Sequence, residues 1–321
     1  MAADSQSSLR LVMMGTGPFA APLFRALFGT RHHVVALITQ PLRSMRHAEA
    51  PASHLRDVAA EHNTPVLDPE NINTDEARSE LARLPPDLFI VADYGQILSA
   101  PTLAVARLGG INLHGSLLPK YRGAAPINWA LYHGDTETGV TVIHMTPRVD
   151  AGPALAQART PIRADETAVE LERRLAEMGA PLVVRAIDEL AAGQVTALPQ
   201  DPSQASPARR LRKTDGAIDW SRSATAIRNQ IRALEPWPRT YTFWHRPGGQ
   251  TLRLILGRTS VSERSEANPG TVIHAGDDLV IASGDGGLRI HELQPAGKRM
   301  ITALEFLRGY PVKAGESFAP A

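Results

Sequence analysis

Residues 9–28, LRLVMMGTGPFAAPLFRALF, decide how the rest of the chain is read. Leu9 to Met14 is a nearly unbroken apolar run. Gly15-Thr16-Gly17-Pro18 ends it, and Leu23, Phe24, Leu27 and Phe28 then recur at helical spacing. That order predicts a buried strand, a tight turn and a helix. Four more β-rich runs follow: HVVALITQ (33–40), PPDLFIVADYG (85–95), GGINLHGS (109–116) and GVTVIHMT (139–146). Helical patterns lie between them, over 50–63 and 102–109, and the longest amphipathic stretch spans 165–192. Strands alternating with helices predict an α/β domain built on a parallel sheet.

From Gly193 the texture changes to Gly, Gln, Ser and Pro with the arginine-rich QDPSQASPARRLRK (200–213), a linker composition. Beyond it come one helical segment, 223–236, and short glycine-punctuated β-like runs at 251–261, 270–276 and 278–295, which predict a small β-barrel. The expected organisation is a domain over 1–192, a linker over 193–212 and a second domain over 213–321.

The 321 residues are 43% hydrophobic and 21% charged, the composition of a globular protein. No apolar run approaches the ~20 residues of a membrane span, and MAADSQSSLR lacks the basic and apolar parts of a secretory signal. A cytoplasmic protein without a membrane partner is expected. The chain has no cysteine, which excludes disulfides, thiolate catalysis and cysteine-ligated zinc; the histidines show no ligand spacing, so no metal is expected. The overall charge of +1 hides an asymmetry. Residues 209–321 hold 17 Lys/Arg against 11 Asp/Glu, whereas 1–208 hold 17 against 22. Such a basic end suits either a solvated surface or a polyanionic partner.

GTGPFA (15–20) fits the dinucleotide pattern G-x-G-x-x-A, but the context argues against it. A nicotinamide site wants an acidic residue at the end of the second strand, where this chain has Gln40 and Pro41, and Pro18 removes one N–H from the phosphate-binding turn. The stronger chemical signal is INLHGSLLPKYRGAAP (111–126). On a strand Asn112 and His114 face one side. An amide can donate to a developing oxyanion and an imidazole can move protons, a pairing suited to acyl transfer. Asp150, in TPRVDAGPA, is the candidate to orient the histidine, on the expectation that both strands end at one edge of a parallel sheet. Separately, a buried histidine and a turn-forming aspartate are common structural features.

Residues 111–152, with their Asn-x-His-x-Ser-Leu-Leu-Pro run and later Asp, resemble the core of the folate-dependent formyltransferases. DYGQIL (93–98), IDW (218–220), PWP (236–238) and residues 293–318 extend the resemblance over the whole chain, toward members that formylate methionine on initiator tRNA. The resemblance implies a Rossmann-like formyltransferase domain followed by an OB-like, tRNA-binding barrel. It implies 10-formyltetrahydrofolate as co-substrate, methionyl initiator tRNA as acceptor and a role in translation initiation; a monomer is expected. Asn112 would bind the formyl oxygen, His114 would assist proton transfer, and Asp150 would hold the histidine's charge. Ser116, Leu117, Leu118 and Pro119 would border the folate. Tyr94, Gly95, Gln96, Ile97 and Leu98, with the backbone near 146–149, would embrace its pteridine. Arg209, Arg210, Arg212, Lys213, Lys298 and Arg299 would touch tRNA.

Two departures accompany the resemblance: a shorter loop after the second strand, with Arg43, Arg46, His47 and Glu49, and Asp93 where a small apolar residue is usual. Transfer to an amino sugar nucleotide, or non-catalytic binding of folate or RNA, are the alternative readings.

Overall fold

A computed structural model describes residues 8–41, 53–246, 248–263 and 266–319. The loop positions Arg43, Arg46, His47 and Glu49 lie outside the described residues. Contacts divide the chain into two compact units: residues up to Pro126 with Glu137–Pro161 and Leu171–Arg209, and Ile127–Thr136 with Ile162–Glu170 and Arg210 onward.

The first unit contains β1 (Arg10–Gly15), α1 (Ala21–Leu27), β2 (His33–Ile38), α2 (Ser53–Glu61), β3 (Val66–Leu67), α3 (Asp75–Ala82), β4 (Leu88–Ala92), α4 (Ala100–Leu103) and β5 (Gly110–His114). After α5 (Pro126–His133), assigned mainly to the second unit, come β6 (Glu137–His144), β7 (Ala154–Pro161) and the long α6 (Ala168–Ala191). One seven-stranded sheet runs β3-β2-β1-β4-β5-β6-β7. β1 to β5 are parallel. The central β1 and β4 are almost wholly apolar because both faces are covered: every residue of β4 is buried, as is all of β1 after Arg10. The chain steps outward from β1 to β2 and β3, then returns to place β4 on the other side of β1. That reversal opens a crevice at the carboxyl ends of β1 and β4, the usual ligand position in such sheets.

β6 and β7 are antiparallel to their neighbours, with Ile111 opposite His144 and His114 opposite Thr141. This corrects the expected route by which Asp150 reaches the site. β6 ends beside the start of β5, and Asp150 returns through the loop before β7. A run buried on both faces looks the same in sequence whichever way it points, so periodicity could not set its direction. Two further elements escaped the pattern reading. β3 is only two residues long. Helix α3 has clear start signals, an N-cap at Thr74 accepting from the Ala77 N–H and acidic residues at 75 and 76, but only Ala77 and Leu81 of it are buried.

The second unit holds α7 (Ala224–Ala233), β8 (Thr240–His245), β9 (Leu252–Leu256), β10 (Thr259–Ser262), β11 (Val272–Ala275), β12 (Leu279–Ala282), β13 (Gly287–Ile290), β14 (Glu292–Pro295), β15 (Ile301–Thr302), α8 (Ala303–Gly309) and β16 (Ser317–Ala319). Two antiparallel sheets, β10-β13-β12-β11 and β15-β14-β9-β8-β16, share a core that includes Trp220, Ile227, Trp244, Leu254, Ile281, Leu293, Phe306 and Phe318. A bridge between Thr271 and Ser317 joins edges of the two sheets, as barrel closure requires. Ser223 caps α7 through the Ala226 N–H, and Thr302 with Glu305 forms a reciprocal capping box on α8.

Candidate active site

The site is built at the end of β5. Asn112 is half-buried and His114 almost wholly buried, at 6% exposure. The His114 Nε2 lies 2.8 Å from the Tyr121 carbonyl oxygen. A carbonyl only accepts, so Nε2 carries a proton and Nδ1 is the nitrogen left for chemistry. That Nδ1 lies 3.5 Å from Asp150 Oδ2, while Asn112 Nδ2 lies 3.4 Å from Asp150 Oδ1. Asp150 therefore faces both β5 side chains, one through each oxygen. The Gly123 N–H donates to Oδ2 at 2.9 Å and fixes the carboxylate plane. Asp150 itself takes φ 48°, a left-handed conformation that Asp tolerates better than most residues, which turns the loop sharply enough to present the carboxylate.

The SLLP residues have mixed placements. Ser116 is fully buried and its hydroxyl donates to the Lys120 carbonyl at 2.6 Å, which closes the turn. Thr141 on β6 donates to the Ser116 carbonyl at 2.7 Å and accepts from the Leu118 N–H at 3.1 Å. Gln157 on β7 reaches the Leu118 carbonyl at 3.1 Å. Leu118 is buried, whereas Leu117 and Pro119 are half-buried. The turn is thus stitched to the two antiparallel strands.

In the loop after β4, Tyr94 and Leu98 are buried in an apolar cluster with Val12, Met14 and Phe89. The Tyr94 hydroxyl has no hydrogen-bond partner among the described residues, and burial raises its pKa. Gln96 ties the loop down, accepting from the Ile72 N–H at 2.9 Å and donating toward the carbonyls of Pro69 and Glu70. Gly95, at φ 84°, and Ile97, 63% exposed, face outward.

Asp93 accepts from the Gly17 N–H in the turn after β1, and its backbone carbonyl accepts from Thr16 at 3.0 Å. A side chain at position 17 would collide with this carboxylate, so glycine is what admits it. The surrounding protein pushes the Asp93 pKa up to about 6 against the opposing pull of the Gly17 N–H. Burial, together with the charge of Asp93, raises Glu172 on α6 to about 7.

The residues that sequence reasoning missed are mainly those acting through backbone: the Tyr121 carbonyl and the Gly123 N–H. Gln200, whose amide donates to the carbonyls of Asp150 at 2.8 Å and Gly152 at 2.7 Å, was also missed, because it stands in a stretch expected to be a linker. Among the described residues no cluster of three or more His, Asp or Glu could hold a metal ion, and no helix is long and apolar enough to cross a membrane.

Residues 9–187 match the formyl transferase family, and residues 210–311 match the formyl transferase C-terminal domain. A curated methionyl-tRNA formyltransferase of Rhodopirellula baltica is 44% identical over 326 aligned positions, covering 96% of each chain. One from Desulfotalea psychrophila is 43% identical, covering 97% of this chain and 96% of that relative. The chain belongs to the methionyl-tRNA formyltransferase family.

More distant solved structures share the fold. A Helicobacter canadensis N-formyltransferase in complex with folinic acid and dTDP-3-aminofucose superposes with a TM-score of 0.66 at 18% identity, over 88% of this chain and 98% of that one. HypX from Aquifex aeolicus in complex with tetrahydrofolic acid gives 0.61 at 17% identity, over 94% of this chain and 47% of that one. Within the methionyl-tRNA formyltransferase family this chain is thus a two-part formyltransferase, with an α/β domain preceding an antiparallel strand domain.

Proposed function

We propose that this chain transfers the formyl group of 10-formyltetrahydrofolate to the α-amino group of methionyl initiator tRNA, as a cytoplasmic monomer serving translation initiation. The observation that carries the reading is the convergence of Asn112 and His114 on Asp150, at 3.4 and 3.5 Å, in a chain of this family. The amine attacks the formyl carbon, charge gathers on the formyl oxygen, and the bond to N10 breaks. Asn112 directs one amide hydrogen toward Asp150 and has a second to donate to that oxygen. His114, with Nε2 committed to Tyr121, takes the amine proton at Nδ1 and returns it to the departing nitrogen. Asp150 stabilises the imidazolium formed in between.

The outward-facing Gly95 and Ile97, the backbone of 117–119 and the 146–149 loop suit the walls of a folate pocket. Ser116, whose hydroxyl is held within the turn, supports that wall from behind. We take 1–192, together with the segment up to Arg209 that belongs to the same compact unit, as catalytic and 213–321 as the tRNA-binding part, its excess of basic residues suited to phosphate contacts. The test is formylation of charged initiator tRNA by purified protein with 10-formyltetrahydrofolate, compared with elongator methionyl-tRNA. Formylation of the initiator species is expected, and none at all would sink the reading.

A further inference from the structure

Residues 198–208, read from composition as part of a linker, are bonded into the catalytic unit. Leu198 and Ala154 exchange both backbone hydrogen bonds at 2.8 Å. Two residues later the Gln200 Nε2 donates to the carbonyls of Asp150 at 2.8 Å and Gly152 at 2.7 Å. Its Oε1 accepts from Arg122 twice, at 3.1 Å from Nε and 2.7 Å from Nη2. Only this orientation of the amide works, since two acceptors lie on one side and a guanidinium on the other. Beyond it, Ser206 accepts at its carbonyl from the Arg122 N–H at 2.8 Å and at its hydroxyl from the Tyr121 N–H at 2.9 Å. The Ala208 N–H closes onto the Arg122 carbonyl at 2.6 Å.

These bonds converge on the groups that hold the catalytic side chains. The 206–208 backbone fixes the 121–123 segment, which supplies the carbonyl for His114 Nε2 and the N–H for Asp150 Oδ2. Gln200 fixes the other side, the left-handed turn at Asp150. We infer that Gln200, braced by Arg122, is a positioning residue for Asp150, and that the segment from Gln200 to Ala208 sets the distance between Asp150 and His114. Without the Gln200 amide, the Asp150 and Gly152 carbonyls of a sharply turned loop lose that donor, and the Asp150 carboxylate is left with only its contacts to Gly123, Asn112 and His114. A displacement of about 1 Å at a reacting group can cost on the order of a hundredfold in rate.

The inference rests on the formyltransferase reading for its kinetic arm, so the experiment carries a second arm that does not. Gln200→Glu keeps the acceptor for Arg122 and removes both donors; Gln200→Met removes everything but the volume. Each is expected to lower kcat for methionyl-tRNA formylation by roughly 10-fold or more, with both KM values within about 2-fold. In an Asp150→Asn background the same substitutions should cost less than about 2-fold, because Gln200 acts through that carboxylate.

Hydrogen exchange at the Ala151 and Gly152 amides should quicken by roughly 10-fold in both variants, with the β5 amides unchanged. A Gln200→Glu enzyme with wild-type kcat overturns the inference. So does a loss that multiplies in full with that of Asp150→Asn, which would mark a general structural defect. If the wild-type chain fails to formylate methionyl-tRNA, the functional reading falls by itself. The exchange arm still decides, since unchanged Ala151 and Gly152 amides would show that Gln200 does not hold the loop.

Discussion

Gly123→Ala probes the ladder from its other side, and its size can be worked from the backbone. Gly123 has φ 124°, a region that side chains rarely adopt, at a cost of about 1–3 kcal/mol. The added Cβ would lie 2.6 Å from the Ala208 carbonyl oxygen and 3.1 Å from its carbon. Both are backbone atoms of a hydrogen-bonded segment, so they cannot rotate away, and overpacking adds about 1–3 kcal/mol. Together this is roughly 2–6 kcal/mol, or about 4–24 °C in Tm for a unit of this size.

The chain must part at 123 to relieve the contact, which carries the Gly123 N–H away from Asp150 Oδ2. Losing a hydrogen bond to a charged group is worth about 1.5–3 kcal/mol, so kcat should fall by roughly 10- to 150-fold. Thermal melts followed by circular dichroism and steady-state formylation read the two effects. Gly193→Ala is the control. It has a left-handed φ of 66° with nothing within 4 Å of an added Cβ, so it should lose about 1–2 kcal/mol of stability and no kcat. A Gly123→Ala enzyme that melts and turns over like the wild type would refute the claim that the 121–123 and 206–208 segments set the site.

Three other expectations are simpler to check. Asn112→Ala should slow turnover by about 10²- to 10³-fold with the KM for the formyl donor nearly unchanged, and an unaltered rate would remove Asn112 from the mechanism. Asp93 and Glu172 have native pKa values raised to about 6 and about 7 from 3.8 and 4.5, so the native state binds more protons over that interval. Their contribution is present below about pH 4 and is lost as pH rises through 6 and 7. Urea melts from pH 5 to 7.5 should show stability falling, with a flatter slope in Asp93→Asn; an identical slope there would count against the assignment. Affinity for tRNA should drop steeply between 50 and 200 mM salt, by on the order of 10³ if about six phosphates are contacted, whereas a flat series by filter binding would contradict a phosphate-binding surface.

The legible parts of the fold were those with local signals. Leu9 to Phe28 announced strand, turn and helix through apolar runs and glycine, and Asn112 with His114 announced a functional edge through side-chain chemistry at strand spacing. The direction of β6 was hidden, because burial on both faces erases any periodic cue. Tyr121 and Gly123 act through main-chain atoms that any residue carries, so their identities hold no trace of the role. Gln200 was masked by its neighbours: a stretch rich in Ser, Pro and Arg reads as solvated, and only the tertiary pairing with 121–123 reveals otherwise. In the strand domain, β8 escaped notice as a strand although its burial alternates, because the proline-rich PWPR before it reads as a turn.

The carboxylate of Asp93 against the Gly17 N–H has a consequence for ligand discrimination. Turns that follow the first strand of such sheets attract phosphates because their amide hydrogens point at an open space. Here that hydrogen is already donated to the Asp93 carboxylate, which with a pKa of about 6 is mostly ionised near neutral pH. A dinucleotide approaching this crevice would meet a negative charge where it requires a vacant donor. The glycine pattern that suggests nucleotide binding thus serves a different end: its second glycine makes room for a carboxylate that occupies the turn's own N–H.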